Sequence, residues 1–183
     1  VDISCVFPDF DADVNDPKSY DFFFTDAYIK DIIEAGSQVY YRLGQTIEPG
    51  KAYNVYPPKN YKKWAKICEH IIRHYNEGWA DGFHYDIKYW QIWNEHDHSK
   101  PVCWIGTPEQ FYDLYETTYR HLKSQFPDLQ IGGPALLGNP TTGKAFIEAM
   151  AKRNVPLDFL SWHMYFHTVE AFKYNVNFFR PSK

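Results

Sequence analysis

Five consecutive polar residues follow an apolar run at 89–93, and each carries a side chain that enzymes use to move protons or hold metals. They are Asn94, Glu95, His96, Asp97 and His98. Three interpretations are open for this cluster: a metal site, a catalytic acid, or a polar loop that follows a strand. Each interpretation requires a different spacing of the polar residues and different secondary structure around them.

The spacing argues against a metal. Neighbouring residues in an extended or turning chain point in different directions. Zinc ligands usually come from separated positions on one face, as in H-E-x-x-H on a helix. His163 and His167 are four residues apart, but they follow an apparent strand and lack the glutamate of that motif. We therefore expect no metal at either place, and no other cofactor.

Glu95 suits a proton donor. It ends a run that contains Tyr89, Trp90, Ile92 and Trp93, so its carboxyl is expected to lie against apolar surface. Such surroundings favour the protonated form that a general acid needs. The alternative is a surface glutamate that caps the following loop. The pattern alone leaves both interpretations open.

Alternating aspartates near the N-terminus are a second candidate metal site. Residues 9–16, DFDADVND, resemble the start of a calcium loop. Such a loop needs glycine at its sixth position and a bidentate glutamate at its twelfth, where this chain has Val14 and Tyr20. We expect Asp9, Asp11 and Asp13 to be solvated residues that form turns.

Composition narrows the class of protein. The 183 residues suffice for one buried domain. Of these residues, 19% are aromatic, which fits either a heavy aromatic core or a groove for flat, weakly polar ligands such as sugars.

A net charge of -4 without long Lys/Arg clusters argues against nucleic-acid binding. No apolar run reaches the roughly 20 residues of a membrane span. Cys5, Cys68 and Cys103 are expected to be buried free thiols. The compartment stays open.

Two hydrophobic periods alternate along the chain. Strands are predicted at 2–7, 38–43, 86–93, 129–133 and 157–162. Four helices are predicted between the strands. The first has an apolar face of Phe24, Tyr28, Ile29, Ile32 and Ile33 and ends at Gly36, and the second covers 64–75 and ends before Gly78. The third begins with a capping box at Thr107 and Gln110 and stops at Pro127, and the fourth covers about 143–153. This order predicts parallel strands in an open α/β sheet or a TIM (β/α)8-type barrel. No G-x-G-x-x-G supports a dinucleotide fold.

Ligands of parallel α/β proteins bind at the carboxyl ends of the strands. Four predicted strand ends are rich in polar residues: Asp9, Asp11 and Asp13; Arg42, Gln45 and Glu48; Asn94 and Glu95; and His163 and Tyr165. These side chains are the candidates for a shared site.

The third of these strand ends resembles a known motif. Trp93-Asn94-Glu95 is similar to the fourth-strand motif of the clan GH-A glycoside hydrolases, and within that clan the chain most resembles glycoside hydrolase family 39, the β-xylosidase and α-iduronidase family. The likeness covers most of residues 2–166. Five stretches carry it in order: YRLG at 41–44, YPPKNYKKW at 56–64, YWQIWNE at 89–95, FYDLYETTYRHLKSQFPDLQIGGPA at 111–135 and DFLSWHMY at 158–165.

The resemblance implies a retaining glycosidase that hydrolyses β-xylosides or related plant polysaccharide fragments without a cofactor or metal. Glu95 would be the general acid/base, Asn94 would hydrogen-bond the sugar 2-hydroxyl, and His163 and Tyr165 would line the same subsite. The chain departs from the family at His96, where proline is common, which puts the conformation of the next loop in doubt.

The resemblance also implies that residues 1–183 form one partial catalytic barrel domain, with the five strands as barrel strands two to six. Strand one and strands seven and eight would be absent. A retaining enzyme needs a second carboxylate, which the family carries at the end of strand seven. Neither Glu148 nor Glu170 sits in a matching motif. We expect the nucleophile to lie outside this chain and the chain alone to be inactive.

Two other classes of protein remain as alternatives. A carbohydrate-binding or scaffold barrel without catalysis fits the aromatic composition equally well, whereas an open α/β hydrolase lacks support because no G-x-S-x-G elbow is present. We expect a glycoside or oligosaccharide as the ligand, with no nucleic acid and no membrane. Exposed barrel edges would favour self-association.

Overall fold

The computed structural model describes residues 2–44, 55–98, 102–165 and 168–179. Helices and strands alternate after a short N-terminal segment. In chain order they are α1 (Ile3–Val6), a 3-10 helix (Pro17–Ser19), α2 (Phe23–Glu34), β1 (Tyr40–Leu43), α3 (Tyr61–Glu77), β2 (Tyr89–Ile92), α4 (Pro108–Gln125), β3 (Gln130–Leu136), α5 (Pro140–Lys152), β4 (Leu160–Trp162) and α6 (Val169–Phe179).

The four strands form one parallel sheet in the order β1-β2-β3-β4. Tyr40 lies opposite Tyr89, which in turn lies opposite Gln130. The register shifts once, between β3 and β4, around Gly133 and Leu136. The predicted parallel α/β arrangement is confirmed.

The strand predicted at 2–7 is wrong. This segment is the helix α1, whose first turn is capped by the Asp2 carboxylate accepting from the Ser4 backbone N–H at 2.8 Å. An isolated parallel bridge links Asp2, just before this helix, to Gly44, just after β1. A short apolar run fits a buried helical turn as well as a strand, and the aspartate cap favours the helix. The described residues therefore contain four barrel-type strands rather than five.

The helix boundaries follow their predicted local signals. α3 ends at Gly78, whose φ of 75° is a left-handed conformation that glycine adopts without a Cβ clash. α4 begins with the predicted capping box, in which Thr107 and Gln110 each bond the backbone N–H of the other. α5 begins at Pro140, three residues before the predicted start. α6 was not predicted.

The predicted buried face of α2 is partly wrong. Ile29 is buried, but Phe24 is 81% exposed and Tyr28 is 63% exposed, and Thr25 is buried in place of Phe24. α2 carries apolar residues on several sides, so periodicity alone does not select the face that packs.

Aromatic residues fill the layer between the sheet and its helices. Alternate residues of each strand point into this layer, which buries Tyr41 on β1 and Trp90 on β2. The opposite face, which would be the barrel interior, leaves Tyr40 49% exposed and Tyr89 45% exposed. The largest fully buried rings are Trp64, Trp90, Trp93, Tyr75, Tyr115, Phe7, Phe111 and Phe146. Much of the aromatic content therefore belongs to the core.

Within the described part of the chain, no helix combines the length and apolar character needed to cross a membrane.

Candidate active site

The chain leaving β2 stays bonded to both neighbouring strands. The Trp93 N–H donates to the Leu43 carbonyl at the end of β1 (2.7 Å), and the Glu95 N–H donates to the Ala135 carbonyl in β3 (2.9 Å). Trp93 and Glu95 both have positive φ, 66° and 45°, which is uncommon for residues other than glycine and costs roughly 1–2 kcal/mol each. The surrounding bonds hold this strained turn, and it presents Asn94 and Glu95 at the carboxyl end of the sheet.

Gln91 supports this turn from inside the sheet. Its Nε2 donates to the Trp93 carbonyl (2.9 Å), and its Oε1 accepts from the Tyr40 hydroxyl and the Ser161 hydroxyl, both at 2.8 Å. Gln91 thus ties β1, β2 and β4 together a few residues before Asn94 and Glu95. Gln91 was not among the predicted site residues, although a lone polar residue inside an apolar strand was an available signal.

Glu95 and His163 meet at the sheet edge. The His163 Nδ1 lies 2.6 Å from the Glu95 Oε1, although 68 residues separate them in sequence. Glu95 is 7% exposed, and His163 follows β4, where its N–H donates to the Leu136 carbonyl. A short contact between a carboxyl and an imidazole can hold or pass a proton.

Asn94 is fully buried, with 0% of its surface exposed. Neither its amide nitrogen nor its amide oxygen has a hydrogen-bond partner among the described residues. A buried polar group without a partner costs about 1–3 kcal/mol, so such groups call for an explanation. A ligand hydroxyl could satisfy both atoms.

Tyr165 is not brought against Glu95. It lies two residues beyond His163, and its side chain is 91% exposed. Of the four predicted site residues, the structure therefore groups Asn94, Glu95 and His163, and leaves Tyr165 facing solvent.

Arg42 also belongs to this neighbourhood. It stands opposite Gln91 in the register of β1 and β2. Burial lowers the pKa of Arg42, and the negative charge of Glu95 opposes that decrease. With Gln91 and His163, Arg42 lines a cavity of about 460 Å³ that extends along β1 to α2. The Arg42 guanidinium can bind a polar ligand in this cavity or balance the charge of Glu95.

Two other members of the polar cluster anchor the loop. The His96 ring stacks on Phe111 with centroids 3.7 Å apart, and burial lowers the pKa of His96 to about 4. The Asp97 carboxylate accepts from the Leu137 N–H (3.0 Å) and from the Thr142 hydroxyl (2.7 Å). Histidine thus takes a packed position at 96, where the family commonly has proline.

The last member, His98, comes close to Glu95 and Cys103. A carboxylate oxygen, an imidazole nitrogen and the thiol sulfur of these residues lie within 4.8 Å of one another. Burial raises the pKa of the Cys103 thiol to about 11, and the carboxylates of Glu95 and Asp97 add to this. These three donor types can together hold a divalent metal.

The remaining predictions have mixed outcomes. The aspartates form turns as predicted, because Asp9 caps the Asp11 N–H and Asp13 caps the Asn15 N–H, each at 2.9 Å. Cys68 and Cys103 are buried free thiols as predicted, whereas Cys5 is exposed. Gln45, Glu48 and His167 lie outside the described residues.

Parallel strands joined by helices, with a buried carboxyl at the carboxyl edge of an inner strand, define a TIM-barrel-type α/β protein whose site lies at the strand ends. The family model of the glycosyl hydrolases family 39 matches residues 3–178, and the chain belongs to that family.

Three relatives illustrate the likeness. A β-xylosidase from Caldicellulosiruptor saccharolyticus is 29% identical over 163 residues, covering 80% of this chain and 31% of its own length. A β-xylosidase from Geobacillus stearothermophilus is 35% identical over 116 residues, covering 61% of this chain and 22% of its own. The crystal structure of a glucosidase from Croceicoccus marinus aligns with a TM-score of 0.75 at 34% identity, covering 86% of this chain and 32% of that one. The chain thus spans less than a third of each relative.

Proposed function

We propose that the protein is a retaining glycoside hydrolase acting on β-xylosides or related plant polysaccharide fragments, with Glu95 as the general acid/base. The observation that carries this proposal is the position of Glu95. It is nearly buried at the end of an inner parallel strand, bonded to His163 and adjacent to the unpartnered amide of Asn94. Family membership and the names of the two β-xylosidase relatives support the substrate class.

In this proposal the two oxygens of Glu95 have different tasks. Oε1 is held by His163, so Oε2 is the atom that would protonate the glycosidic oxygen and later take a proton from water. Such positioned acid-base catalysis is typically worth roughly 10²–10⁴ in rate. His163 would keep the carboxyl in one orientation during both steps.

Asn94 would bind the sugar. Its amide offers a donor and an acceptor in a fully buried place, and a hydroxyl beside the anomeric carbon can use both. Bonds of this kind to the 2-hydroxyl strengthen towards the transition state of glycoside hydrolysis. Tyr165, which faces solvent here, would join the subsite only through a change in its side-chain position.

Retention requires a second carboxylate about 5–5.5 Å from the first. Glu148 lies on α5 in an ion pair with Lys144, and Glu170 lies in the first turn of α6, so neither follows a strand. The proposal places the nucleophile outside these 183 residues, and the chain alone is expected not to turn over.

The experiment compares Glu95→Ala and Glu95→Gln with the parent in the protein that carries the whole barrel. Aryl β-xylosides with leaving groups of increasing basicity are the substrates, and the anomer of the first product is followed by NMR. We expect both variants to lose roughly 10²–10⁴ of kcat/KM, which reports the bond-cleaving first step, with basic leaving groups. The loss should be much smaller with activated leaving groups, which need no protonation. The first product should retain the β configuration.

Glu148→Gln serves as the matched control, because its carboxylate is exposed on a helix. It should hydrolyse every substrate at the parental rate. Equal loss of kcat/KM for all leaving groups on Glu95→Ala would refute the acid role. Xylo-oligosaccharide binding without any hydrolysis would favour a non-catalytic carbohydrate-binding barrel.

The 183-residue chain by itself has a further expected property. Among the described strands, β1 and β4 each have a strand neighbour on one side only, and the open interior face exposes about half of Tyr40 and Tyr89. Unpaired edges and exposed apolar surface favour association. We expect self-association in light scattering; a monomer with a cooperative thermal transition would count against it.

A further inference from the structure

We propose that Glu95, His98 and Cys103 form a binding site for a zinc-like divalent cation, and that an ion bound there inhibits hydrolysis by occupying the carboxyl of Glu95. The site is distinct from the roles assigned above, because it adds an imidazole and a thiol that hydrolysis does not require. The blocking effect rests on the proposed function of Glu95, whereas the binding of the ion does not.

Two backbone hydrogen bonds link the three residues. The His98 N–H donates to the Glu95 carbonyl (2.9 Å), and the Cys103 N–H donates to the His98 carbonyl (3.3 Å). The Trp93 indole N–H fixes the far end of the loop by donating to the Cys103 carbonyl (3.0 Å). The donor atoms of residues that are three and eight positions apart therefore come close together, which the spacing of the polar cluster did not predict.

The donor set matches the chemistry of zinc. Thiolate, imidazole and carboxylate are its usual ligands, with bonds of roughly 2.0–2.3 Å. A tetrahedral ion with such bonds separates its ligand atoms by about 3.3–3.6 Å. The three donor atoms lie within 4.8 Å of one another, so each needs to shift by about 1 Å. On binding, the Cys103 thiol would release its proton to solvent and bond the ion as thiolate.

Three protein ligands leave the fourth position of the ion for water. Glu95 already bonds His163 at 2.6 Å, so the ion would share the carboxylate with this contact. A bound ion would neutralise the Glu95 carboxylate and prevent its protonation, which removes the general acid. Glycoside hydrolysis would therefore fall in proportion to metal occupancy.

Binding is tested directly by titrating the chelator-treated protein with Co²⁺ and then displacing it with Zn²⁺. We expect one Co²⁺ per chain and a near-ultraviolet sulfur-to-cobalt charge-transfer band, which only a thiolate ligand produces. Loss of an outer-shell partner already costs roughly 10–100-fold in metal affinity. Cys103→Ser and His98→Ala should each weaken binding at least that much, and Cys103→Ser should abolish the band.

Cys5→Ser and His84→Ala are the matched controls, since they remove a thiol and an imidazole elsewhere, and both should bind Co²⁺ like the parent. Circular dichroism checks that each variant is folded. If Cys103→Ser does not fold, the band of the parent and the affinity of His98→Ala decide. No band, or binding unchanged in His98→Ala, overturns the proposal.

A second measurement separates this inference from the proposed function. Zn²⁺ should inhibit aryl xyloside hydrolysis by the parent and by Cys5→Ser, but not by Cys103→Ser relative to its own metal-free rate. Thiolate-dependent binding without any hydrolysis would leave the metal site standing and refute the enzyme. Hydrolysis that Zn²⁺ inhibits equally in Cys103→Ser would refute the metal site alone.

Discussion

Replacing Glu69 with glutamine should weaken the pairing of α3 with α4, the two helices that cover the strand leading to Glu95. The Glu69 side chain is 1% exposed on α3. It accepts from Lys66 Nζ (2.8 Å), Arg73 Nε (2.8 Å) and His121 Nε2 on α4 (2.7 Å). Glutamine keeps the size of the side chain but removes the charge, and its amide N–H₂ would face these donors.

The structure sets the magnitude. Burial raises the pKa of Glu69, but the hydrogen bonds from Lys66, Arg73 and His121 outweigh it and lower the pKa from 4.5 to about 2. At about 1.4 kcal/mol for each pKa unit this corresponds to about 3 kcal/mol. The side chains of the three partners are 34%, 28% and 30% exposed, so solvent screening reduces the expected loss to about 2 kcal/mol.

The effect should also depend on pH with a definite sign. Because the folded pKa of Glu69 lies below its unfolded value, the stabilisation is fully present above about pH 4.5 and is lost as the pH falls towards 2. The destabilisation caused by Glu69→Gln should therefore shrink between about pH 5 and about pH 3.

Urea unfolding at pH 5 and at pH 3, followed by circular dichroism, measures the difference in the free energy of unfolding between Glu69→Gln and the parent. Glu34→Gln on α2 is the control, since Glu34 is 63% exposed and lies 3.6 Å from Lys30; it should cost about 0.5 kcal/mol or less. If Glu69→Gln costs no more than this control, or its cost is the same at pH 5 and pH 3, the buried network does not hold α3 and α4 together.

Three further effects on stability can be measured by the same urea titration. Burial lowers the pKa of His96 to about 4, so between pH 7 and pH 5 the unfolded chain binds a proton that the folded chain does not. The free energy of unfolding should therefore fall by about 2 kcal/mol over this range. His96→Phe, which keeps a ring in place, should remove this pH dependence. Gly132→Ala should cost about 1–3 kcal/mol, because the new Cβ would press against the Phe159 carbonyl oxygen; a neutral substitution would show that β3 and β4 can separate. Thr107→Ala should cost about 1 kcal/mol through loss of the bond to the Gln110 N–H, and no loss would mean that the capping box adds nothing.

Features encoded within a few residues could be predicted from the sequence. The capping box of α4 and the left-handed glycine that ends α3 were predicted correctly, since cap geometry depends on side chains that bond their own neighbours. The prediction of a strand at 2–7 was wrong, because six residues do not distinguish a buried helical turn from a strand.

The sequence by itself determined the parallel α/β order, the placement of Asn94 and Glu95 at a strand end, and the family to which the motifs point. Only the tertiary structure decided what meets Glu95. His163 reaches it across 68 residues because β3 lies between β2 and β4 in the sheet and all three end at the same edge. The side chains of His98 and Cys103 lie close to Glu95, and two backbone bonds link the three residues. Such contacts depend on strand order and loop closure, which no local pattern of residues encodes.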